Sequence, residues 1–346
     1  MEKIDNLYLE SGYLNPAIAL DCPEPFVVVF GGRGTGKTYG ILRELVERGI
    51  TFGLMRRLQT QLHTVCTPHM NVFKAINEDE GWNIIPVPIN HTSYAFYRGD
   101  ADNKPQGSPV GYAMALSTIV NMRGFGAEDI KVVVYDEFIP EAHEKSMRNE
   151  YEAIMNAYST INRNRELKGQ PPLKLVMLAN ANNIVNPFFV GAKLVEKVES
   201  MKRTGRNVLR LPHRGIVIVN LDNSPISKKQ ENTALYKFTK KTSFSDMAFA
   251  NQFSANDNSY IANRPLVEYQ PYIRVGEISI LYHKSRDEFY VTLKNIQCKI
   301  VYGTTDNDRR RFAAGYPKLW MYYLRGLLRF NSFEAERYFK ECYKVG

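Results

Sequence analysis

One glycine-rich octapeptide constrains the fold of this chain more than any other feature of its sequence. An apolar run from Phe26 to Phe30 leads into it, and it ends in a Lys-Thr pair. The pattern G-x-x-x-x-G-K-[ST] is typical of a phosphate-binding loop between a strand and a helix, because its glycines let backbone N–H groups point at a phosphate. We predict that a nucleoside triphosphate is bound by Gly31, Gly32, Arg33, Gly34, Thr35, Gly36, Lys37 and Thr38.

Two side chains of this loop have distinct expected roles. We expect Lys37 to reach the β- and γ-phosphate oxygens, and the Thr38 hydroxyl to bind magnesium. A helix predicted over 38–47 adds the positive end of its dipole at the same place. The predicted cofactors are therefore ATP and Mg²⁺. The alternative is a glycine turn that only joins a core strand to a helix.

The second part of the nucleotide site is predicted far downstream. Residues 131–135 form a buried-strand pattern that ends in Asp136 and Glu137, as in a Walker B motif. We expect Asp136 to coordinate magnesium through water, and Glu137 to polarise the water that attacks the γ-phosphate. The separation of the two motifs leaves room for an extra strand, as in the additional-strand (ASCE) ATPases. We assign that strand to residues 51–55.

Length and composition indicate a protein of more than one domain. The 346 residues exceed what a single hydrophobic core usually serves. We predict a P-loop ATPase domain over 1–201, of α/β class with a mainly parallel sheet. A linker or lid subdomain over 202–227 and a smaller α+β domain over 228–346 follow. Scattered cysteines and the lack of a long apolar span favour a reducing compartment, the cytoplasm, and no membrane.

The positive charge of the chain is concentrated in its C-terminal third. Residues 228–346 carry 20 Lys and Arg against 12 Asp and Glu, whereas residues 1–227 carry 25 against 24. This asymmetry indicates a surface for a polyanion, DNA or RNA ahead of a membrane. The alternative is a set of solvated charges with no partner. The visible clusters are Lys228, Lys229, Lys237, Lys240, Lys241 and Arg309, Arg310, Arg311.

Three further polar residues follow predicted strands. Residues 173–179 read as a buried parallel strand, so Asn180 stands where a sensor of the γ-phosphate is expected. An ordinary turn residue is the alternative. Arg56 and Arg57 leave the second strand near the phosphate loop, so one of them is expected to face the nucleotide or a neighbouring subunit. A solvent-exposed pair is the alternative.

A contact with DNA is expected from a mobile loop that carries a cation. A protein that binds DNA without reading bases must hold its phosphates, which calls for Lys or Arg on exposed loops. The loop 121–126, with Arg123 between small residues, fits this requirement, although a glycine-rich loop with no role explains it equally well. Lys104, in the turn of a predicted hairpin, is a weaker candidate.

These motifs together resemble a known family. The chain is similar to the DNA-packaging ATPases, or encapsidation proteins, of phi29-like podoviruses, and the similarity is densest from about 26 to 189. The residues that carry it, besides the phosphate loop, are Arg56 and Arg57, Tyr135-Asp136-Glu137-Phe138, Arg163-Asn164-Arg165-Glu166, Asn180 and Asn186-Pro187-Phe188-Phe189.

The resemblance implies a function and a set of partners. It implies a homopentameric ring on the portal, or connector, of a viral prohead, which pumps double-stranded DNA in the host cytoplasm at the expense of ATP. A packaging RNA or an equivalent adaptor is an expected partner. The C-terminal domain is expected to resemble ribonuclease H without a working nuclease centre.

The resemblance also assigns catalytic roles by position. Lys37 and Thr38 match the phosphate-loop pair, Asp136 the magnesium aspartate and Glu137 the catalytic glutamate. Arg163 matches the arginine finger, a cation from a neighbouring subunit that stabilises charge on the γ-phosphoryl group in the transition state. Arg165 is a competing candidate for that role, and either arginine could instead pair with carboxylates of its helix.

Two other functions remain open at this point. A large-terminase enzyme would carry an active nuclease, which needs several carboxylates converging on two metal ions. A nucleotide-dependent assembly module would hydrolyse ATP without stimulation by DNA or portal complexes. The carboxylates available to a nuclease in the C-terminal third are Asp246, Asp257, Asp287, Glu288, Asp306 and Asp308.

Overall fold

The computed structural model describes residues 6–118, 129–140, 147, 149–180, 184–221, 224–230, 232–239 and 261–343. The chain divides into two compact units. The first comprises Met1–Gly191 with Ser200–Ser254, and the second comprises Ala192–Glu199 with Ala255–Gly346. The predicted fold class is confirmed: a mainly parallel α/β sheet is followed by a smaller domain with its own sheet.

The strands and helices of the described residues are as follows. The strands are β1 (Phe26–Gly31), β2 (Phe52–Arg56), β3 (Ile84–Asn90), β4 (Ser93–Gly99), β5 (Pro105–Ala115), β6 (Val132–Asp136), β7 (Lys174–Asn180), β8 (Val208–Leu211), β9 (Ile216–Asn220), β10 (Tyr269–Val275), β11 (Ile278–His283), β12 (Phe289–Thr292), β13 (Ile300–Tyr302) and β14 (Leu328–Phe330). The helices are α1 (Ala17–Leu20), α2 (Lys37–Glu47), α3 (Gln59–Val65), α4 (Lys74–Glu80), α5 (Glu150–Asn162), α6 (Pro187–Gly191), α7 (Val195–Arg203), α8 (Pro225–Gln230), α9 (Ala234–Thr239), α10 (Asp306–Gly315), α11 (Pro317–Leu324) and α12 (Phe333–Tyr343).

The first unit is built on a nine-stranded sheet in the order β3-β4-β5-β2-β6-β7-β1-β9-β8. Its six central strands, which are β5, β2, β6, β7, β1 and β9 in sheet order, pair in parallel. Four of the central strands, β1, β6, β7 and β9, are almost continuous apolar runs, which is the composition expected of parallel strands covered on both faces. Antiparallel strands complete the sheet at each side.

The extra strand between the two nucleotide motifs is not the one predicted. In space, β7 lies between the phosphate-loop strand β1 and the strand β6 that ends in Asp136. The strand assigned to residues 51–55 is present as β2, but it lies on the far side of β6. The prediction was wrong because it took order along the chain for order in the sheet, and crossover connections uncouple the two.

The segment 202–227, predicted as a linker or lid subdomain, contributes two strands to the first sheet. Its strand β9 is wholly buried and pairs in parallel with β1, and β8 then pairs antiparallel with β9 at the sheet edge. Its polar composition belongs to the turns around these strands. The apolar run of β9 therefore places it in the core beside the phosphate-loop strand.

The opposite edge of this sheet is a strand with two prolines. In β3, Pro86 and Pro88 stand two residues apart and pair with Phe96 and Tyr94 of β4. Residues two apart in a strand present their backbone groups to the same side. Because proline has no N–H to donate, these residues remove two donors from the open side of the strand. Such an edge is a poor template for another strand.

The second unit has a five-stranded sheet in the order β13-β10-β11-β12-β14. Strands β10, β11 and β12 form an antiparallel meander. Strands β13 and β14 add to its two sides in parallel. Helices α10, α11 and α12 cover one face, where aromatic side chains such as Phe312, Phe330 and Phe339 are wholly buried.

No helix in the part of the chain that the structure describes combines the length and apolar character needed to cross a bilayer.

Candidate nucleotide-binding site

The phosphate loop has the geometry that its sequence predicts. It connects the carboxyl end of β1 to the first residue of α2, Lys37. Gly34 and Gly36 have φ angles of 68° and 82°. Glycine adopts this left-handed region freely, whereas a side chain there is strained. The glycines are therefore needed for the turn that points backbone N–H groups into the cleft.

Lys37 is folded back over this loop. Its Nζ donates to the carbonyl oxygen of Gly32 at 2.7 Å, to Thr35 Oγ1 at 3.2 Å and to Asn180 Oδ1 at 3.3 Å. Burial of the ammonium group lowers the pKa of Lys37 to about 8, although the nearby Asp136 carboxylate opposes that effect. An anionic phosphate beside this buried ammonium group would favour its charged form.

Thr38 and Asp136 present their oxygens to each other across the end of the sheet. The Thr38 hydroxyl donates to Asp136 Oδ1 at 2.9 Å. Burial raises the pKa of Asp136, and Arg56 is the largest influence in the opposite direction. A hydroxyl and a carboxylate side by side at a phosphate loop fit Mg²⁺, a hard cation that takes oxygen ligands.

Arg56 faces the candidate site, in agreement with one of the two positions expected for it. Its Nη2 lies 2.9 Å from Asp136 Oδ2, and its Nη1 lies 2.5 Å from Glu137 Oε2. Glu137 is half exposed, whereas Arg56 and Asp136 are buried. A single guanidinium thus aligns the carboxylate expected to bind magnesium with the one expected to activate water.

Arg57 lies outside this site. Its side chain is wholly buried and forms an ion pair with Glu150. The alternative of a solvent-exposed arginine pair is therefore wrong for both residues.

Asn180 reaches the site because of strand register. It pairs with Gly31, the last residue of β1, at the end of the neighbouring strand β7. From there its Oδ1 accepts the hydrogen bond from Lys37 Nζ at 3.3 Å. This is the position expected for a group that contacts the γ-phosphate.

A cleft of about 920 Å³ is lined by Lys37, Thr38, Asp136, Glu137 and Asn180. Its other walls include α2, α4 and a segment before α1 that contributes Tyr13 and Pro16. The backbone N–H of Leu14 donates to the Thr35 carbonyl oxygen at 3.0 Å, which attaches this segment to the phosphate loop. No motif in the sequence predicts a role for this segment, because that role depends on a long-range contact.

Arg163 and Arg165 lie near the amino ends of the parallel strands, whereas the cleft lies at their carboxyl ends. Arg165 is buried, and its Nη2 donates to the carbonyl oxygen of Ile130, just before β6. Asn162, the neighbour of Arg163, accepts a hydrogen bond from the N–H of Leu173, just before β7. The five residues of β6 separate the amino and carboxyl ends of the strands by roughly 16 Å, at about 3.3 Å per residue.

The two arginines consequently differ in what they can do. The buried side chain of Arg165 holds the start of β6, which favours Arg163 over Arg165 as the candidate finger. Arg163 is half-buried at the C-terminal end of α5. From the amino ends of the strands, Arg163 does not reach the phosphate loop of its own chain.

Several predicted residues lie outside the described part of the chain. These are the loop 121–126 with Arg123, and also Lys240, Lys241, Asp246 and Asp257. Lys104 is described, and is an exposed residue whose Nζ lies 3.6 Å from Asp102.

The described carboxylates of the C-terminal third are engaged individually. Asp287 accepts from the Tyr322 hydroxyl at 2.8 Å, and Glu288 lies 3.7 Å from both Arg264 and Arg329. Among the described residues, no three His, Cys, Asp or Glu side chains come together as a metal site.

The fold and this geometry define a P-loop nucleotide-binding domain joined to a second, smaller domain. The family model of the podovirus DNA encapsidation protein (Gp16) matches residues 9–271. The chain belongs to that family.

Curated relatives and solved structures agree with this assignment. The DNA packaging protein of Bacillus phage phi29 is 24% identical over 261 residues, which cover 74% of this chain and 70% of the relative. That of Bacillus phage B103 is 23% identical, with 81% of this chain and 77% of the relative covered.

Two solved structures share the fold over nearly the whole chain. The bacteriophage phi29 viral genome packaging motor assembly contains a chain that matches with a TM-score of 0.68 and 21% identity, covering 96% of this chain and 99% of its own. The Phi-28 gp11 DNA packaging motor matches with a TM-score of 0.58 and 16% identity, covering 96% and 97%.

Lys37 makes nucleotide affinity depend on pH. Its ammonium is charged below its pKa of about 8 and is lost above it, and a bound phosphate raises that pKa by favouring the charged form. We expect the Kd of a non-hydrolysable ATP analogue to rise by up to about tenfold per pH unit above pH 8. Titrations from about pH 7 to about pH 9.5 measure this. Lys37→Arg stays charged and should give a flat profile. A flat profile for the unmodified protein would contradict the assignment.

Arg56 favours the ionised form of Asp136, because its guanidinium opposes the effect of burial on the pKa of that carboxyl. In Arg56→Ala the pKa of Asp136 should rise further, because burial is then opposed by weaker influences alone. The acid limb of the ATPase pH profile should move to higher pH, and turnover at a fixed pH on that limb should fall about tenfold for each unit by which the pKa rises. Arg48→Ala is the matched control, since it removes an arginine whose partners are Asp21 and Glu44. An equal shift in both variants would show that overall charge, and not the Arg56 contact, is responsible.

Proposed function

We propose that this chain is an ATP-driven translocase that packages double-stranded DNA into a viral prohead as a homomeric ring. The observation that carries the proposal is the division of catalytic groups between the two ends of the parallel strands. The carboxyl ends of the strands bring together Lys37, Thr38, Asp136 and Glu137. Arg163 lies near the amino ends. A second copy of the chain can therefore complete the site.

The residues of the cleft have complementary roles in the proposed hydrolysis. Lys37 and the loop amides bind the β- and γ-phosphates, and Thr38 with Asp136 holds the magnesium that neutralises them. Glu137 orients the attacking water and accepts its proton.

Arg163 supplies the remaining charge from the neighbouring subunit. Negative charge spreads over the γ-phosphoryl group as the bond to the leaving oxygen breaks, and a cation placed there accelerates the reaction by about a thousandfold or more. Hydrolysis then requires two subunits in contact. This requirement couples chemistry to the closure of a ring, which we propose is a pentamer.

The proposed substrate of the motor is duplex DNA. The excess positive charge of residues 228–346 suits a phosphate backbone, which binds through charge without sequence readout. Among the described cations of this region, Arg310 and Arg311 are exposed on α10. The family assignment and the naming of the phi29 relative as a DNA packaging protein support this substrate.

The proposed partners follow from the same assignment. We propose that the ring docks on the portal of the prohead in the infected cell, with a packaging RNA or an equivalent adaptor between them. One chain of the phi29 viral genome packaging motor assembly shares this fold over nearly its whole length, which supports a place in a larger assembly.

The shared site predicts complementation between two inactive variants. Arg163→Ala should bind ATP normally and lose turnover by about a thousandfold, whereas Lys37→Ala should lose binding. In mixed assemblies the Lys37→Ala subunits contribute Arg163, so the sites of the other variant should regain activity. Phosphate release measured across mixing ratios tests this. Additive, uniformly low activity at every ratio would exclude a finger in trans. Arg165→Ala, by contrast, should lower the melting temperature.

The motor itself is tested by DNA-stimulated ATPase activity with and without proheads. We expect stimulation by both together, and DNA affinity that falls steeply as salt rises. The double variant Arg310→Ala/Arg311→Ala should reduce the slope of log K against log salt by up to about 1.8, or about 0.9 per lost phosphate contact.

Lys104→Ala is the comparison variant for this measurement. A change of slope for Lys104→Ala alone would move the DNA contact to the hairpin between β4 and β5. Nicks in plasmid incubated with manganese would favour the large-terminase alternative. ATPase activity that ignores DNA and proheads would favour an assembly module and contradict the proposal.

A further inference from the structure

A buried ion pair lies beside the nucleotide site without belonging to it. Arg57 is wholly buried, and its Nε and Nη2 donate to the two carboxylate oxygens of Glu150 at 2.8 and 3.1 Å. The Tyr135 hydroxyl donates to the same carboxylate at 3.3 Å, and the backbone N–H of Met147 does so at 3.4 Å. The carboxylate thus accepts hydrogen bonds from three separate parts of the chain.

Stability alone is a weak reason for such a pair. Two buried charges lose their hydration, and apolar side chains of similar volume often stabilise a core as well. What the charged pair adds is a single geometry, because a bidentate contact between a guanidinium and a carboxylate fixes distance and orientation together. The function of the pair is therefore to be sought in what it aligns.

The pair joins the strand ends of the nucleotide site to a helix. Arg57 directly follows Arg56, which contacts Asp136 and Glu137. Tyr135 directly precedes Asp136 on β6. Glu150, the partner of both Arg57 and Tyr135, is the first residue of α5.

The far end of the same helix carries the proposed arginine finger. The 13 residues of α5 span about 20 Å at 1.5 Å per residue. Arg163 is its C-terminal cap, with a φ of 45°. Between the ends, Ile154, Ala157 and Ile161 pack apolar side chains, which are less specific about angle.

Near Arg163, the Tyr158 hydroxyl donates to the Leu173 carbonyl oxygen and Asn162 accepts from the Leu173 N–H, which attaches this end of the helix beside β7. Because the helix is rigid and its C-terminal end is attached beside β7, a change of its attachment at Glu150 changes the direction in which it presents Arg163.

We propose that Arg57 and Glu150 are positioning residues for catalysis in the neighbouring subunit. Their ion pair sets the angle of α5 and so places Arg163 in the next nucleotide site. It also ties that placement to β2 and β6, whose ends carry Arg56 and Asp136. The inference rests on the proposed function of Arg163 in trans.

The test places one substitution in either of two subunits. Glu150→Gln keeps the volume of the side chain and removes its charge. It is combined either with Lys37→Ala, in the subunit that only donates Arg163, or with Arg163→Ala, in the subunit that only hydrolyses. Each double variant is mixed with the unmodified single variant of the other kind. Phosphate release and binding of a fluorescent ATP analogue are measured in both mixtures.

The position of the substitution decides the outcome. We expect at least a tenfold loss of turnover when Glu150→Gln is in the finger donor, and less than threefold loss when it is in the hydrolysing subunit, with nucleotide affinity unchanged. Equal losses in both mixtures would show a general structural role and overturn the inference. Failure of the single variants to complement each other, before any change at Glu150, would instead overturn the finger in trans.

Two further variants separate positioning from stability. Glu152→Gln makes the same chemical change at an exposed position of the same helical turn, and should leave both mixtures unchanged. The double variant Arg57→Met/Glu150→Leu restores an apolar core. It should keep the melting temperature of the unmodified protein and still fail as a finger donor. Full activity of this double variant as a donor would overturn the proposal.

Discussion

The register of three parallel strands is the constraint on which the candidate site depends. Gly31 of β1 pairs with Asn180 of β7, and Leu178 of β7 pairs with Asp136 of β6. The carboxyl ends of the three strands are therefore level, and groups from distant parts of the sequence meet there within hydrogen-bond distance. A slip of one residue would turn Asp136 to the other face of the sheet, because side chains alternate along a strand.

A buried cation, Lys37, and a buried carboxylate, Asp136, lie together at these strand ends and suit a phosphate and a metal ion. Burial lowers the pKa of Lys37 and raises that of Asp136, so the fold opposes the charged form of each. A phosphate anion beside the lysine and a divalent cation beside the aspartate act against burial at both positions. The site is thus prepared for the two ligands together.

Local patterns in the sequence predicted the phosphate loop, the strand before Asp136 and the overall fold class. These features depend on short spacing and apolar periodicity. The different fates of Arg56 and Arg57 could not be predicted, because consecutive residues point to opposite sides and their partners lie far along the chain. The position of β7 between β1 and β6, and the burial of Arg165 against Ile130, are likewise set by tertiary contacts.

The prolines of β3 bear on how copies of this protein can meet. An edge without donors at Pro86 and Pro88 does not accept a strand from another molecule, so a continuous sheet across that border is disfavoured. A neighbour that approaches there is held by side chains alone. Contacts of that kind can separate and re-form while the backbone hydrogen bonds of each sheet stay intact.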